Sequence, residues 1–419
     1  MNLYKKGLAS IIKNGLIVTI KKFLNIKRQE KFIRYYYNRD TLSKAIRIGE
    51  KIIKMYPGNV YNYQQLARAY WKAKDEHGAT NILKQGLRVK CGLTLEEIIS
   101  EIEKKLPDNN LLLSHRFIFK GGHQNYGLIE HIYEEKTLLT KIVESQNSKG
   151  DSLIRDIQTE NPDFHTITPS IISILTINDI TFITMKKING EVPINTNTDF
   201  INKVFKLNNL ITSMDYNEVS DSLSLQKLTH NTNLINKHEL FKAFYLVSQN
   251  NKEVFSCISE FLKRNMTPVD FIKVVDHLNN LIFGENYYKF ISPEVHFTLQ
   301  HGDFFKANML INNHTGELKI IDWVGVRLGP RWVDIALFLG TIKLPFDIIR
   351  NNFLDHDRCN YEPVEKLFFI YTLIVSWAVT FNKNEVENCF ENFYSPALDY
   401  LESISLELEG MQGGKSKII

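Results

Sequence analysis

The sequence has few cysteines and no long apolar run, and each absence excludes a class of protein. Its four cysteines (Cys91, Cys257, Cys359 and Cys389) form no C-x-x-C pair. Their scatter disfavours a disulfide framework or a zinc site and favours a reduced, cytoplasmic protein. No uninterrupted apolar run reaches the ~18 residues of a membrane-spanning helix. A net charge of +4 is too small to indicate nucleic-acid binding.

Charge is unevenly distributed along the chain. Residues 1–34 contain one acidic residue, Glu30, and a large set of basic ones: Lys5, Lys6, Lys13, Lys21, Lys22, Lys27, Arg28, Lys31 and Arg34. Apolar residues recur there at intervals of three and four, which predicts a basic amphipathic helix. Such a helix can contact an anionic membrane surface peripherally, or it can dock on the helices that follow. A secretory signal is disfavoured, because the apolar run 16–20 is short.

Residues 38–90 resemble about one and a half tetratricopeptide-like repeats. The matching positions are Tyr63, Leu66, Ala67 and Tyr70 on one helix, Ala79, Leu83 and Gly86 on the next, and Ala45 and Pro57 one repeat earlier. Small residues at such positions let paired helices approach closely. Because fewer than three repeats are rarely stable alone, we expect this region to pack on neighbouring parts of the chain, and it could also bind a protein partner.

A cluster of polar residues lies between residues 301 and 322. Asp303 is followed by Asn308 and then by Asp322. The apolar runs 309–311 and 318–321 flank a turn, which predicts a hairpin that returns Asn308 and Asp322 to the same end. Phosphoryl transfer needs such a trio: a carboxylate to orient and deprotonate a hydroxyl, and two oxygen ligands for Mg²⁺.

The motifs His301-Gly302-Asp303-x-x-x-x-Asn308, Ile321-Asp322-Trp323 and Asp334-Ile335-Ala336 resemble those of the aminoglycoside phosphotransferase and choline kinase-like family, small-molecule relatives of the protein kinases. The resemblance covers residues 299–340. It implies that Asp303 is the catalytic base, that Asn308 and Asp322 are Mg²⁺ ligands, and that Asp334 braces the catalytic loop. It also implies ATP as the phosphoryl donor.

The same resemblance assigns nucleotide-binding roles earlier in the chain. Gly121, Gly122 and Asn125 are similar to the family's nucleotide-binding loop, where backbone can approach phosphates. Lys141 ends an apolar strand, which is the pattern of the lysine that holds the α- and β-phosphates. A hinge is predicted at residues 185–190, with the backbone between Lys186 and Ile188 facing the adenine.

Lys141 should pair with an acidic residue on the following helix. The family favours Glu, whereas this sequence offers Asp156, with Glu160 and Asp151 as alternatives. The shorter Asp is a departure from the family's pattern.

The expected fold is α+β. A bilobal protein kinase-like fold, with a small antiparallel-sheet lobe and a large helical lobe, follows an all-α helical-repeat region. The predicted boundaries are residues 1–34 for the basic helix, 35–106 for the helical repeats, 111–190 for the small lobe, 191–409 for the large lobe and 410–419 for a flexible tail.

The leading functional hypothesis is a kinase that uses ATP and Mg²⁺ to phosphorylate a hydroxyl of a small molecule. Sugars, choline- or ethanolamine-type alcohols and aminoglycosides are the candidate acceptors. The basic N-terminal helix would suit work near the inner membrane face, in surface polysaccharide or lipid biosynthesis. The alternative is a pseudokinase scaffold whose repeats recruit a partner. A protein kinase is disfavoured, because no D-F-G or A-P-E segment is present.

Overall fold

The computed structural model describes residues 41–106, 112–119, 125–214, 290–355, 361–380 and 390–415. These residues form two compact units. Of the described residues, the first unit contains those up to Ser148 together with Ile171–Lys187, and the second contains Lys149–Ser170 and those from Ile188 onward. The predicted basic helix at residues 1–34 lies outside the described residues.

Four helices open the first unit: α1 (Leu42–Met55), α2 (Val60–Lys72), α3 (Glu76–Cys91) and α4 (Leu95–Glu103). Side-chain caps fix the starts of three of them by accepting backbone N–H groups that have no partner within the helix. Asn59 caps α2 and Asp75 caps α3. Thr94 and Glu97 form a reciprocal capping box at α4. These caps explain why the chain breaks into short helices.

The helix faces predicted to pack are buried. Tyr63, Leu66 and Ala67 on α2 are buried, as are Ala79 and Leu83 on α3. A Cβ added to Gly86 would lie 2.7 Å from the Cβ of Tyr63, so α2 and α3 approach more closely than a larger residue would allow. This packing is that of a tight helical hairpin. It does not establish the tetratricopeptide-like assignment, which stays a prediction.

A five-stranded antiparallel sheet completes the first unit. Its strands are β1 (Leu112–Ile118), β2 (Asn125–Tyr133), β3 (Thr137–Glu144), β4 (Ile171–Ile177) and β5 (Ile180–Lys186), in the order β1-β2-β3-β5-β4. The helices and the sheet share one hydrophobic core, in which Leu83 and Ile98 lie in the same cluster as Phe117, Ile129 and Phe182. The helical region therefore folds as part of this unit.

The second unit combines helices with two small sheets. Its helices are α5 (Lys149–Glu160), α6 (Thr198–Thr212), α7 (Pro293–His296), α8 (Val333–Thr341), α9 (Phe346–Ile349), α10 (Pro363–Thr380) and α11 (Ser395–Lys415). Its strands are β6 (Gly190–Glu191), β7 (Phe297–Gln300), β8 (Met309–Asn312), β9 (Leu318–Ile320) and β10 (Arg327–Pro330). β6, β8 and β9 form one sheet, and β7 and β10 form the other.

The α+β class with an antiparallel sheet and helical regions is confirmed. The hairpin predicted around residues 309–321 is present as β8 and β9. Helix α11 continues to Lys415, so the first residues of the predicted tail are helical. No helix in the described ranges is long and apolar enough to cross a membrane.

Candidate active site

The loop after β7 carries His301, Gly302 and Asp303. β7 pairs with β10, and Gln300 at its end lies opposite Arg327. The chain leaves β7 at His301 and turns at once, because Gly302 has φ +78°. A left-handed backbone of this kind is open to glycine at little cost. The turn sends Asp303 away from the strand direction, and its side chain is half-buried.

Asp334 fixes this turn. The carboxylate accepts the backbone N–H of His301 at 2.6 Å and that of Gly302 at 3.2 Å. The side chain is buried, and its burial raises the pKa of the Asp334 carboxyl against the opposing effects of His301, Arg327 and the two N–H groups. The first turn of α8 therefore supports the loop directly, as the bracing role predicted for Asp334 requires.

Asn308 is tied to Asp303. Its side-chain nitrogen, Nδ2, donates to the backbone carbonyl of Asp303 and to the carboxylate oxygen Oδ2, both at 2.8 Å. Since the nitrogen is committed to these two acceptors, the amide orientation follows, and the amide oxygen Oδ1 is the atom left to bind an electropositive partner. The 3₁₀ turn Lys306–Asn308 supplies this spacing.

Asp322 is brought next to Asn308 by the β8–β9 hairpin. Met309 lies opposite Ile320, and the N–H of Ile321 donates to the carbonyl of Asn308 at 2.9 Å. Asp322 itself has φ 67° and ψ 60°, a left-handed conformation that is uncommon for residues other than glycine, asparagine and aspartate. Asp303, Asn308 and Asp322 thus belong to one pair of adjoining loops within the second unit.

His301 connects the two loops. Its Nδ1 lies 3.2 Å from the backbone nitrogen of Asp303, and its Nε2 lies 3.0 Å from the carbonyl of Ile321. Because an N–H can only donate and a carbonyl can only accept, Nδ1 is the acceptor and Nε2 carries the proton. Burial lowers the pKa of His301, which matches this neutral tautomer. The ring also packs edge-on against Trp323, 4.6 Å between centroids.

Trp323 anchors the Asp322 loop to the segment that follows α5. Its indole nitrogen donates to Thr168 Oγ1 at 3.1 Å, and its ring contacts Phe164. A Cβ added to Gly150 would lie only 2.0 Å from the Trp323 carbonyl oxygen, so α5 begins directly against this loop. The N–H of Ile320 also donates to the carbonyl of Ile167 at 2.7 Å.

Gly302 and Gly325 meet backbone to backbone. A Cβ added to Gly302 would lie 2.0 Å from the carbonyl oxygen of Gly325, a distance that real side chains do not adopt. The loop His301–Asp303 and the Asp322 loop can therefore approach this closely only with glycine at position 302.

We expect Gly302→Ala to lower the free energy of unfolding by about 3 kcal/mol, through left-handed strain and a backbone clash. Chemical denaturation measures this loss. Gly316→Ala is the matched control, because Gly316 has φ +68° but nothing lies within 4 Å of its added Cβ. That control should lose only about 1 kcal/mol. Equal losses in the two variants would show that the loops can separate at no cost.

The nucleotide-binding residues predicted in the first unit are placed as follows. Lys141 is buried in β3, where it lies opposite Leu128 on β2 and Ile183 on β5. Asn125 is buried at the start of β2. Lys186 is exposed at the end of β5. Gly121 and Gly122 lie outside the described residues.

The remaining predicted residues belong to the second unit. Ile188 is half-buried and is the first residue of the unit's second segment. Asp156 is half-buried on α5, with Asp151 buried and Glu160 exposed on the same helix. Because Lys141 and α5 belong to different units, the pairing of Lys141 with an acidic residue on α5 stays a prediction.

No cluster of three His, Cys, Asp or Glu side chains suited to a metal occurs among the described residues. The predicted Mg²⁺ site does not require one, because its protein ligands are one amide and one carboxylate. Mg²⁺ commonly takes few protein ligands and completes its shell with water and substrate phosphates.

Sequence reasoning missed two features of the site. It gave His301 no role, although its two ring contacts join the loops. It also gave no role to Gly302, although the close approach of Gly325 requires a glycine at this position. The place of Gly302 between His301 and Asp303 could have indicated this requirement from sequence. The tautomer of His301 could not be inferred, because it depends on contacts that only the folded chain supplies.

A family model described as the phosphotransferase enzyme family matches residues 277–363. This segment contains Asp303, Asn308, Asp322 and Asp334. The match confirms, over that segment, the resemblance drawn from the motifs. The tetratricopeptide-like resemblance receives no such confirmation. A search of the curated proteins found no match.

Several solved structures are similar to the chain. Spectinomycin phosphotransferase APH(9)-Ia, in complex with ADP and spectinomycin, is 15% identical with a TM-score of 0.42, over 74% of this chain and 94% of that one. An aminoglycoside phosphotransferase from Alicyclobacillus acidocaldarius is 12% identical with a TM-score of 0.46, over 76% and 97%. Choline kinase LicA from Streptococcus pneumoniae is 14% identical with a TM-score of 0.36, over 74% and 98%. These values are too low to transfer a substrate.

Proposed function

We propose that this protein is an ATP- and Mg²⁺-dependent phosphotransferase that phosphorylates a hydroxyl of a small molecule. One observation carries the proposal: Asn308 Nδ2 donates to both the carboxylate and the carbonyl of Asp303, while the backbone of Ile321 binds Asn308. A carboxylate, an amide oxygen and a second carboxylate, Asp322, are thereby assembled in adjoining loops, as transfer of a γ-phosphoryl group requires.

Asp303 has the properties of the base. Its backbone is held by His301, and Asn308 holds one carboxylate oxygen, so the group is oriented before substrate arrives. In the proposed reaction the acceptor oxygen forms a bond to the γ-phosphorus. The bond between that phosphorus and the β–γ bridging oxygen breaks, ADP leaves, and the acceptor proton passes to Asp303.

The oxygen donors fit magnesium. Asn308 offers its amide oxygen because its nitrogen is occupied by Asp303, and Asp322 offers a carboxylate, so both ligands are of the hard type that Mg²⁺ prefers. When bound, the ion supplies charge neutralisation at the β- and γ-phosphates. In the same proposal Lys141 holds the α- and β-phosphates, and Gly121, Gly122 and Asn125 belong to the loop that covers them.

Other expectations remain proposals with the function. The nucleotide base is placed against the backbone between Lys186 and Ile188, and Asp156 is the proposed partner of Lys141. The candidate acceptors are a sugar, a choline- or ethanolamine-type alcohol and an aminoglycoside. A sugar or a choline- or ethanolamine-type alcohol would suit an enzyme of surface polysaccharide or lipid biosynthesis that contacts the inner membrane face through residues 1–34. No observation on the described residues favours the pseudokinase alternative.

The test is turnover of ATP by the purified full chain across a panel of sugars, choline, ethanolamine and aminoglycosides. We expect ADP release that depends on one class of acceptor and on Mg²⁺, with phosphate found on the acceptor by mass spectrometry. Mg²⁺ removal by chelation should abolish it. Binding of ATP without turnover on any acceptor would instead support the inactive scaffold.

A further inference from the structure

The helical region contacts the chain on both sides of the predicted nucleotide-binding loop. On the side before it, the ring of Trp71 at the end of α2 packs against Phe119, 5.3 Å between centroids. On the side after it, two side chains of α2, Gln64 and Arg68, donate hydrogen bonds to the backbone carbonyl of Asn125. All of these residues belong to the first unit.

The contact at Asn125 is polar and lies beside the shared hydrophobic core. Gln64 is buried and Arg68 is half-buried, and Arg68 Nη2 lies 3.0 Å from the Asn125 carbonyl oxygen. A guanidinium donor makes a stronger hydrogen bond than a neutral one. The surrounding core, which includes Tyr63, Leu66 and Tyr126, limits access of water to these groups.

The strand is irregular at the same point. The register of β2 against β3 shifts between Asn125 and Gly127, and Gly127 has φ +136°. Such irregularities re-aim the backbone and are found next to functional sites. A Cβ added to Gly127 would lie 3.6 Å from Leu83 Cδ2, so α3 covers the irregularity from the helical side. Asn125 pairs with Val143 on the far side of this register shift, and the two α2 side chains add hydrogen bonds to its carbonyl.

We infer that Arg68 and Gln64 are positioning residues for the nucleoside triphosphate, acting through the Asn125 carbonyl on the entry of β2. This inference rests on the proposed function, in which Asn125 belongs to the nucleotide-binding loop. It gives the helical region an intramolecular role, since α2 supplies the donors that fix one end of the nucleotide-binding element.

The experiment measures the dissociation constant of ATP with Mg²⁺ by calorimetry, and steady-state kinetics, for the full chain and for Arg68→Met. Methionine keeps the apolar stem and removes the guanidinium. We expect ATP to bind about tenfold more weakly, because a charged hydrogen bond to a backbone anchor is lost. We also expect kcat at saturating ATP and the KM of the acceptor to change by less than about twofold, because Asp303 is untouched.

Two further variants separate positioning from general stability. Arg68→Lys keeps the charge and one donor and should restore most of the ATP affinity. Arg88→Met is the matched control, because Arg88 is exposed on α3 and its side chain should be dispensable. If Arg68→Met does not fold, Gln64→Met tests the second donor to the same carbonyl.

ATP affinity that is unchanged in folded Arg68→Met would overturn the inference. The inference would also be overturned if kcat fell, the KM values of ATP and of the acceptor both rose, and the melting temperature fell with them. That pattern would show that Arg68 has a purely structural role. Calorimetry needs no acceptor, so a wild-type chain that binds ATP but phosphorylates nothing would refute the proposed function alone. A wild-type chain that binds no ATP would refute both.

Discussion

Asp303→Asn should lower kcat by about 10³-fold while the KM of ATP stays within a few-fold. Loss of a general base typically costs about 10²- to 10⁴-fold in rate. Asparagine has nearly the same shape as aspartate and keeps an oxygen that can accept from Asn308 Nδ2, and the backbone contact to His301 does not involve the side chain. The variant should therefore fold normally and lose only the basic carboxylate. Steady-state kinetics with the acceptor found in the panel measures the effect.

Asp163→Asn is the matched control for this charge change. Asp163 is an exposed residue of the 3₁₀ turn Pro162–Thr166, and its replacement removes the same charge elsewhere on the second unit. The control should retain wild-type kcat. If Asp303→Asn keeps kcat within about threefold of wild type, Asp303 is not the base. If its melting temperature falls sharply, the loss of rate reports unfolding.

Asp322→Asn should weaken Mg²⁺ binding to the ADP complex by at least about tenfold and lower kcat by about 10²- to 10³-fold. The physical reason is that an amide replaces the only carboxylate among the two proposed ligands, and charge stabilisation by a metal is worth several kcal/mol. Calorimetric titration of Mg²⁺ into the ADP-bound chain measures the first effect without any turnover.

Asparagine is the informative replacement here because of the backbone. Asp322 has φ 67°, a conformation that asparagine tolerates and that costs alanine about 1–2 kcal/mol. Asp322→Ala should therefore lose Mg²⁺ binding and stability together, whereas Asp322→Asn should lose Mg²⁺ binding with little change in the free energy of unfolding. Unchanged Mg²⁺ affinity in both variants would remove Asp322 from the metal site.

Much of the second unit's site could be anticipated from local sequence. The run Met309–Ile311 and the run Leu318–Ile321 are apolar on either side of a turn, so their hairpin follows from patterning and turn chemistry. That hairpin returns Asp322 to Asn308, and the structure has it as β8 and β9. Strands β3, β4 and β5 of the first unit were likewise predictable, since each is a short, mostly apolar run.

The helical region shows where local reasoning ends. Periodicity correctly identified the buried faces of α2 and α3, because apolar residues spaced three or four apart lie on one side of a helix. It could not say what those faces would cover. Their packing on the sheet, with Leu83 and Phe117 in one core, depends on contacts between segments far apart in the chain.

The sequence by itself determined which side chains are present for chemistry. It places Asp303, Asn308 and Asp322 at a spacing suited to phosphoryl transfer, and it encodes the hairpin that brings Asn308 and Asp322 together. Only the tertiary structure decided how those groups are held. Asp334 reaches back over 32 and 33 residues to the N–H groups of Gly302 and His301, and Arg68 reaches 57 residues forward to Asn125. Propensity and periodicity act over a few residues, whereas such contacts arise when buried polar groups of distant segments must satisfy one another.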